Sequence, residues 1–206
     1  MLGSGLRPAY LSTVADPASL ARSRAAPLVG FAWGLAEATL FFVVPDVWIG
    51  WVALVARRSA WVVLAFTLAG ALAGGALTYA VATTTEPATS ASILDGVPTV
   101  DRDAVRRVSG EMEKHGPRSV VYGPLRMGTP YKLYARAAGA RDESLASFLL
   151  WSIPARLQRF LPLAALAALA GFFLRRWIAA SPRLTVSLYA AIWLGFYAVY
   201  IIRIGL

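Results

Sequence analysis

Long apolar runs alternate with short polar clusters along this chain, and only some of the runs are free of charge. The stretch from Leu28 to Val55 is apolar enough to enter a bilayer, but Glu37 and the Pro45-Asp46 pair interrupt it and Arg57-Arg58 close it. A straight span needs about 20 uninterrupted apolar helical residues. Proline removes an amide donor and disfavours helix in the residue before it. The pattern therefore predicts two half-helices, 28–42 and 46–57, broken at Pro45. Arg22/Arg24 and Arg57/Arg58 at its two flanks fit a re-entrant hairpin with both ends on one side. A single kinked span is the alternative.

Ser59 to Ala82 carries no charge, has Trp61 beside the basic pair as an interfacial anchor, and places Gly70 and Gly74 at the GxxxG spacing of packed membrane helices. It predicts a spanning helix. Residues 83–99 read as an exposed loop. Asp101 to Lys114 predicts a surface helix with Val105, Val108 and Met112 on one stripe, stopped by Gly116-Pro117. From Ser119 to Ala140, short apolar stretches surround Gly123-Pro124, Arg126, Gly128, Pro130 and Lys132, too polar for a lipid-exposed span. A second hairpin, broken at Pro130 and buried among helices, is expected, because irregular backbone survives at membrane depth only inside protein or beside a water cavity. Residues 143–177 would form a helix about 50 Å long, more than the roughly 30 Å hydrocarbon core, with Pro154 as a kink and Ala164, Ala167, Ala168 and Gly171 as a packing stripe. A last span runs over 182–203.

The expected fold is an all-α integral membrane protein: two opposed re-entrant, broken-helix hairpins plus about three spanning helices in an inverted-repeat-like order. Residues 1–27 form an N-terminal extension without a signal-peptide pattern. Residues 28–206 form one membrane domain: hairpin 28–57, span 59–82, loop and surface helix 83–117, hairpin 119–140, and spans 143–177 and 182–203.

Composition agrees and then narrows the chemistry. Of 206 residues 58% are hydrophobic and only 15% charged, and the net charge of +9 places most bases at the ends of apolar runs, as in membrane-flanking loops rather than a nucleic-acid surface. The chain has no cysteine and one histidine. Disulfides, thiol chemistry and Cys/His metal clusters are excluded, and no cofactor is expected. His115 falls at a predicted helix C-terminus, where the dipole favours a cation, and no carboxylate neighbour is evident.

Six charges lie inside or beside the apolar segments: Glu37, Asp46, Arg126, Lys132, Arg156 and Arg159. Facing lipid, six such groups would cost on the order of 15–20 kcal/mol. Two acids and four bases are expected to meet in a polar cavity between the hairpins, leaving a positive excess for an anionic headgroup. They could instead serve only as ion pairs that hold the hairpins together, with Lys132 and Arg159 snorkelling to an interface.

At these residues the sequence resembles the DedA family of bacterial membrane proteins, also called the VTT or SNARE-associated family, and its compact YqaA-like subgroup. The resemblance rests on Gly34-Leu-Ala-Glu37-Ala-Thr-Leu-Phe-Phe-Val-Val-Pro45-Asp46 and on Gly116-Pro, Thr129-Pro130-Tyr131-Lys132-Leu-Tyr, Ala137-Ala-Gly139, Phe148 and Arg156-Leu-Gln-Arg159-Phe160. It implies two opposed re-entrant hairpins and a role in moving phospholipid or polyprenyl phosphate across the bacterial inner membrane, proton-driven in some members. Glu37 and Asp46 match the family's hairpin acids, and Arg126 and Lys132 fall near its R-x-x-P-x-x-R bases. Here the proline comes four residues after Arg126 and lysine replaces the second arginine, losing the planar bidentate contact to phosphate.

The expected function is lipid translocation: Arg126, Lys132, Arg156 and Arg159 as headgroup-binding bases, Glu37 and Asp46 as proton- or ion-coupling acids, and Pro45 and Pro130 as hairpin breaks. The rivals are a scaffold or assembly factor without transport, and a lipid-phosphate hydrolase, which lacks a nucleophile and base near the basic cluster.

Overall fold

A computed structural model describes residues 17–40, 42–85, 102–125 and 129–204. The described residues are helical throughout, with no strand among them. In chain order the helices are α1 (Pro17–Arg22), α2 (Ala26–Thr39), α3 (Asp46–Val55), α4 (Arg57–Thr84), α5 (Arg102–His115), a 3₁₀ segment (Gly116–Tyr122), α6 (Tyr131–Ala140), α7 (Leu145–Phe173), α8 (Arg175–Ala180) and α9 (Pro182–Ile204). Three of them, over Arg57–Thr84, Leu145–Phe173 and Pro182–Ile202, are long and apolar enough to cross a bilayer. The chain is a membrane protein.

The first apolar run is divided as its proline predicts. Pro27 lies in the first turn of α2, where its missing N–H costs nothing, and the Pro45 carbonyl accepts from the N–H groups of Trp48 and Ile49, both at 3.0 Å, to open α3. The second run divides at Pro130, whose carbonyl accepts from Leu133 N–H at 3.1 Å at the start of α6. Each proline thus precedes a 10-residue helix. Both helices are buried along most of their length, α6 from Tyr131 to Gly139 and α3 at Asp46 and from Trp48 to Ala53.

Small residues let backbones approach. A Cβ on Gly70 or Gly74 would strike the Phe31 and Leu35 carbonyls of α2, and a Cβ on Gly34 would strike the Thr67 carbonyl of α4. Gly30 and Gly34 therefore answer the Gly70/Gly74 pair, giving α2 and α4 reciprocal small-residue stripes. Without a hydrophobic force between helices in lipid, this close van der Waals contact is what fastens them. Gly171 of α7 sits equally tightly on the Leu54 carbonyl of α3, and Gly139 of α6 on the Tyr79 carbonyl of α4.

Several boundaries differ from expectation. The 143–177 stretch is not one helix: α7 ends at Phe173, with Pro154 and Pro162 inside it, and α8 is separate. The second broken segment begins at Gly116 rather than 119, and its first arm is 3₁₀, because Gly116 at φ +61° ends α5 and Pro117 restarts the chain. The helix predicted for the surface is docked: Ala104, Val108 and Met112 are buried in one core cluster with Val120, Leu133 and Tyr134. Its polar face explains the surface reading, and its apolar stripe explains the docking. The extension 1–27 contributes α1 and the start of α2 among its described residues.

Candidate functional site

The two arms of the first broken segment bring an acid to each side of the break, Glu37 in the last turn of α2 and Asp46 in the first turn of α3. The helix dipole favours a carboxylate at the latter position. Facing them, Arg156 and Arg159 stand three residues apart on one face of α7. They lie roughly 17 and 21 Å along a helix about 43 Å long, near its middle. Each acid takes one arginine. Arg156 Nη2 donates to Glu37 Oε2, with both side chains buried at 5% and 6% exposure, and Arg159 Nε donates to Asp46 Oδ1 at 2.9 Å, with Arg159 35% exposed.

Aromatic rings complete the arginine's surroundings. The Arg156 guanidinium lies 4.3 Å from the Tyr131 ring centroid and 5.5 Å from that of Phe160, and Tyr131 in turn stacks on Phe148 at 5.7 Å. Desolvated cation–π contacts of this kind are worth about 2 kcal/mol and accept the flat guanidinium better than an ammonium. Lys132, the next residue, is almost fully buried and within the electrostatic reach of Glu37 and Arg156. It does not snorkel.

Hydrogen bonding around the pairs is incomplete. Among the described residues, the buried atoms Asp46 Oδ2 and Arg156 Nε have no hydrogen-bond partner. Natural interiors leave few such groups. Arg156, Arg159 and Tyr131 line a cavity of about 30 Å³ together with Gly123, Pro124 and Thr129. That volume holds about two water molecules.

The break itself is held by side chains. Trp33 Nε1 donates to the Val43 carbonyl at 2.9 Å, Val44 N–H donates to Tyr197 Oη at 2.8 Å, and Tyr189 Oη donates to the Val47 carbonyl at 2.7 Å. The Val43 carbonyl and the Val44 N–H, which lie between α2 and α3, are thereby paired, and Tyr189 adds a second bond to a carbonyl of the first turn of α3.

Five of the six charges expected in the interior are thus gathered, with Arg159 half out of it; Arg126 lies outside the described residues. Both prolines mark breaks. His115 is exposed at the end of α5, with its ring 5.5 Å from that of Tyr122, and no carboxylate pairs with it among the described residues. Sequence reasoning missed Tyr131 as the bed for Arg156, the buried Arg136 of α6, and the tethers Tyr189 and Tyr197. The tethers had a signal: Tyr189, Trp193, Tyr197 and Tyr200 recur at helical spacing along α9. The chain matches no protein-family model, no curated protein and no solved structure.

Proposed function

We propose that the chain is a lipid translocase of the DedA type in a bacterial cytoplasmic membrane, moving a lipid with an anionic headgroup past a charge cluster at mid-depth. The observation that carries this reading is the pair of ion pairs, Glu37 with Arg156 and Asp46 with Arg159, joining both sides of a helix break to the middle of a proline-containing helix. Charges at such depth are costly and typically mark a substrate or ion pathway, and the orphaned Arg156 Nε and Asp46 Oδ2 leave hydrogen-bonding capacity unused.

Packing supports two opposed re-entrant hairpins. α2 and α3 meet at a break whose far ends, Ala26 and Val55, lie at the end of the bundle where α4 begins, as the bond from Arg22 to the Val55 carbonyl records. α6 ends beside the other end of α4, where Gly139 meets Tyr79, which favours a second hairpin entering from the opposite side. The first arm of each segment packs on the long helix that follows it, and the second arm packs on the long helix of the other half. An inverted repeat has this arrangement.

In the proposed cycle the lipid phosphate replaces Glu37 and Asp46 as partner of Arg156 and Arg159, with Lys132 and Arg126 as further bases, and a released acid takes a proton. The cavity of about 30 Å³ beside Arg156 and Arg159 is smaller than a headgroup, so in the proposed cycle it widens to admit one. Pro45 and Pro130 are the hinges. No cofactor takes part, and the protein acts as a transporter rather than an enzyme. Seven arginines at the α4-start end, against five exposed Lys and Arg described at the α5 end, orient the former toward the cytosol.

Reconstitution in vesicles with fluorescent phosphatidylglycerol or polyprenyl phosphate, read by quenching of the outer leaflet, tests the proposal. Wild-type protein should move label faster than protein-free vesicles, and folded Glu37→Gln and Lys132→Ala proteins should not. Wild-type rates in both variants would refute it. Complete internal pairing of the acids also supports a second reading, a scaffold without transport, which predicts changed abundance or assembly in those variants and no flux in the wild type.

A further inference from the structure

The α4-start end of the bundle differs from the rest of the surface in having bases without acids. Arg22, Arg57, Arg58, Arg175, Arg176 and Arg183 are exposed there, and none has a carboxylate within ion-pair distance among the described residues. Every described Asp and Glu lies elsewhere, on α2, at the start of α3, on α5 or between α6 and α7. At the opposite end two bases do have acids beside them: Arg106 pairs with Asp103, and Arg141 Nη2 lies 3.3 Å from Glu113 Oε2.

The arginines are also held close together. Arg57 at the start of α4 and Arg175 at the start of α8 both lie against the ring of Phe172, at 5.5 and 5.4 Å from its centroid. The two guanidiniums are thus at most about 11 Å apart. Their corner is packed: Gly171 is seated on the Leu54 carbonyl, and Arg22 Nη2 donates to the Val55 carbonyl at 3.4 Å. Two like charges gathered against one ring repel each other, and an anion bound to both offsets that repulsion. A phosphodiester is the anion whose geometry suits two guanidiniums.

The neighbouring surface is that of a lipid site. Trp61 and Trp177 are exposed beside the arginines, at the level where indole rings mark the headgroup region, and Val62, Phe66, Leu169 and Phe173 leave apolar surface exposed next to it. We propose that this corner binds an acidic phospholipid of the cytosol-facing leaflet. Its phosphodiester sits between Arg57 and Arg175 at the edge of Phe172, and its acyl chains run along α4 and α7. This site is separate from the mid-depth cluster, and its lipid is a bound neighbour rather than cargo. Clustered bases at the cytoplasmic ends of membrane helices recognise anionic headgroups by this charge chemistry.

The test uses the purified full chain in neutral detergent, with dioleoylphosphatidylglycerol, dioleoylphosphatidylcholine or soluble glycerol 3-phosphate added, and native mass spectrometry to count retained lipid alongside a melting curve. Retention of phosphatidylglycerol over phosphatidylcholine by at least tenfold, with a raised Tm, is expected for the wild type. R57Q/R175Q should abolish that preference and R106Q/R107Q should keep it. All four side chains are exposed, and the melting curve without lipid checks that each variant is folded. F172L, which retains both charges but not their shared ring, should weaken retention without erasing it. Equal retention of the two lipids, an unchanged preference in R57Q/R175Q, or equal stabilisation by glycerol 3-phosphate would overturn the proposal.

Discussion

The two broken segments solve one problem with different means. In each, a proline precedes a buried 10-residue helix. The first segment reaches its break through a regular 14-residue helix and has its exposed backbone groups tied by Trp33, Tyr189 and Tyr197, two of them from α9. The second reaches its break through a 3₁₀ segment that begins at Gly116-Pro117, and it leans on α5 and α7 rather than on α9. The first supplies the acids and the second supplies Lys132 and the aromatic bed of Arg156. Breaking a helix is therefore a local matter of proline, whereas keeping the break in an apolar surrounding requires partners from distant helices.

The largest expected effect divides the segments at their charges. Arg156→Ala or Glu37→Ala leaves an uncompensated buried charge and should cost about 3–5 kcal/mol, seen as a fall in Tm of the detergent-solubilised protein. Replacing both residues by methionine should recover most of that stability while translocation stays absent, which separates holding the fold from moving lipid.

Next comes the contact that fixes the first segment to α4. Gly34→Leu forces a side chain into the Thr67 carbonyl and should destabilise by at least about 1–3 kcal/mol, the range of core overpacking. Gly110→Ala on α5 is the contrast: nothing lies within 4 Å of its Cβ position, so the helix should gain about 0.5–1 kcal/mol.

A smaller effect tests the tethers. Tyr197→Phe leaves Val44 N–H unpaired and should cost about 1–3 kcal/mol. Hydrogen exchange should rise at the first break, from Val43 to Val47, and remain unchanged from Tyr131 to Arg136; equal rises at both would erase the distinction between the segments. The smallest effect is expected at the α5 surface, where Asp103→Ala removes an exposed pair worth less than about 1 kcal/mol.

Elements written in local patterns were legible. Ser59 to Ala82 falls within α4, Pro45 stands immediately before α3, and the aliphatic stripe of α5 was identified while its burial was not. Helix ends are less legible: two internal prolines, both exposed, do not stop α7, whereas Leu174 ends it without any proline. Within the site, residue types were readable and partners were not. By residue type Lys132 suits an interior base or, alternatively, a snorkelling one, and the enclosure of α6 by α4, α5 and α7 keeps it from an interface.

By itself the sequence determined that this is a helical membrane protein with interrupted segments, because apolar length, proline and charge placement act within a few residues of where they occur. Tertiary structure alone decided which arginine each acid takes and which hydroxyl accepts from the Val44 N–H at the first break. Those choices join residues separated by 119, 113 and 153 positions, and no periodicity along the chain records a contact between helices so far apart.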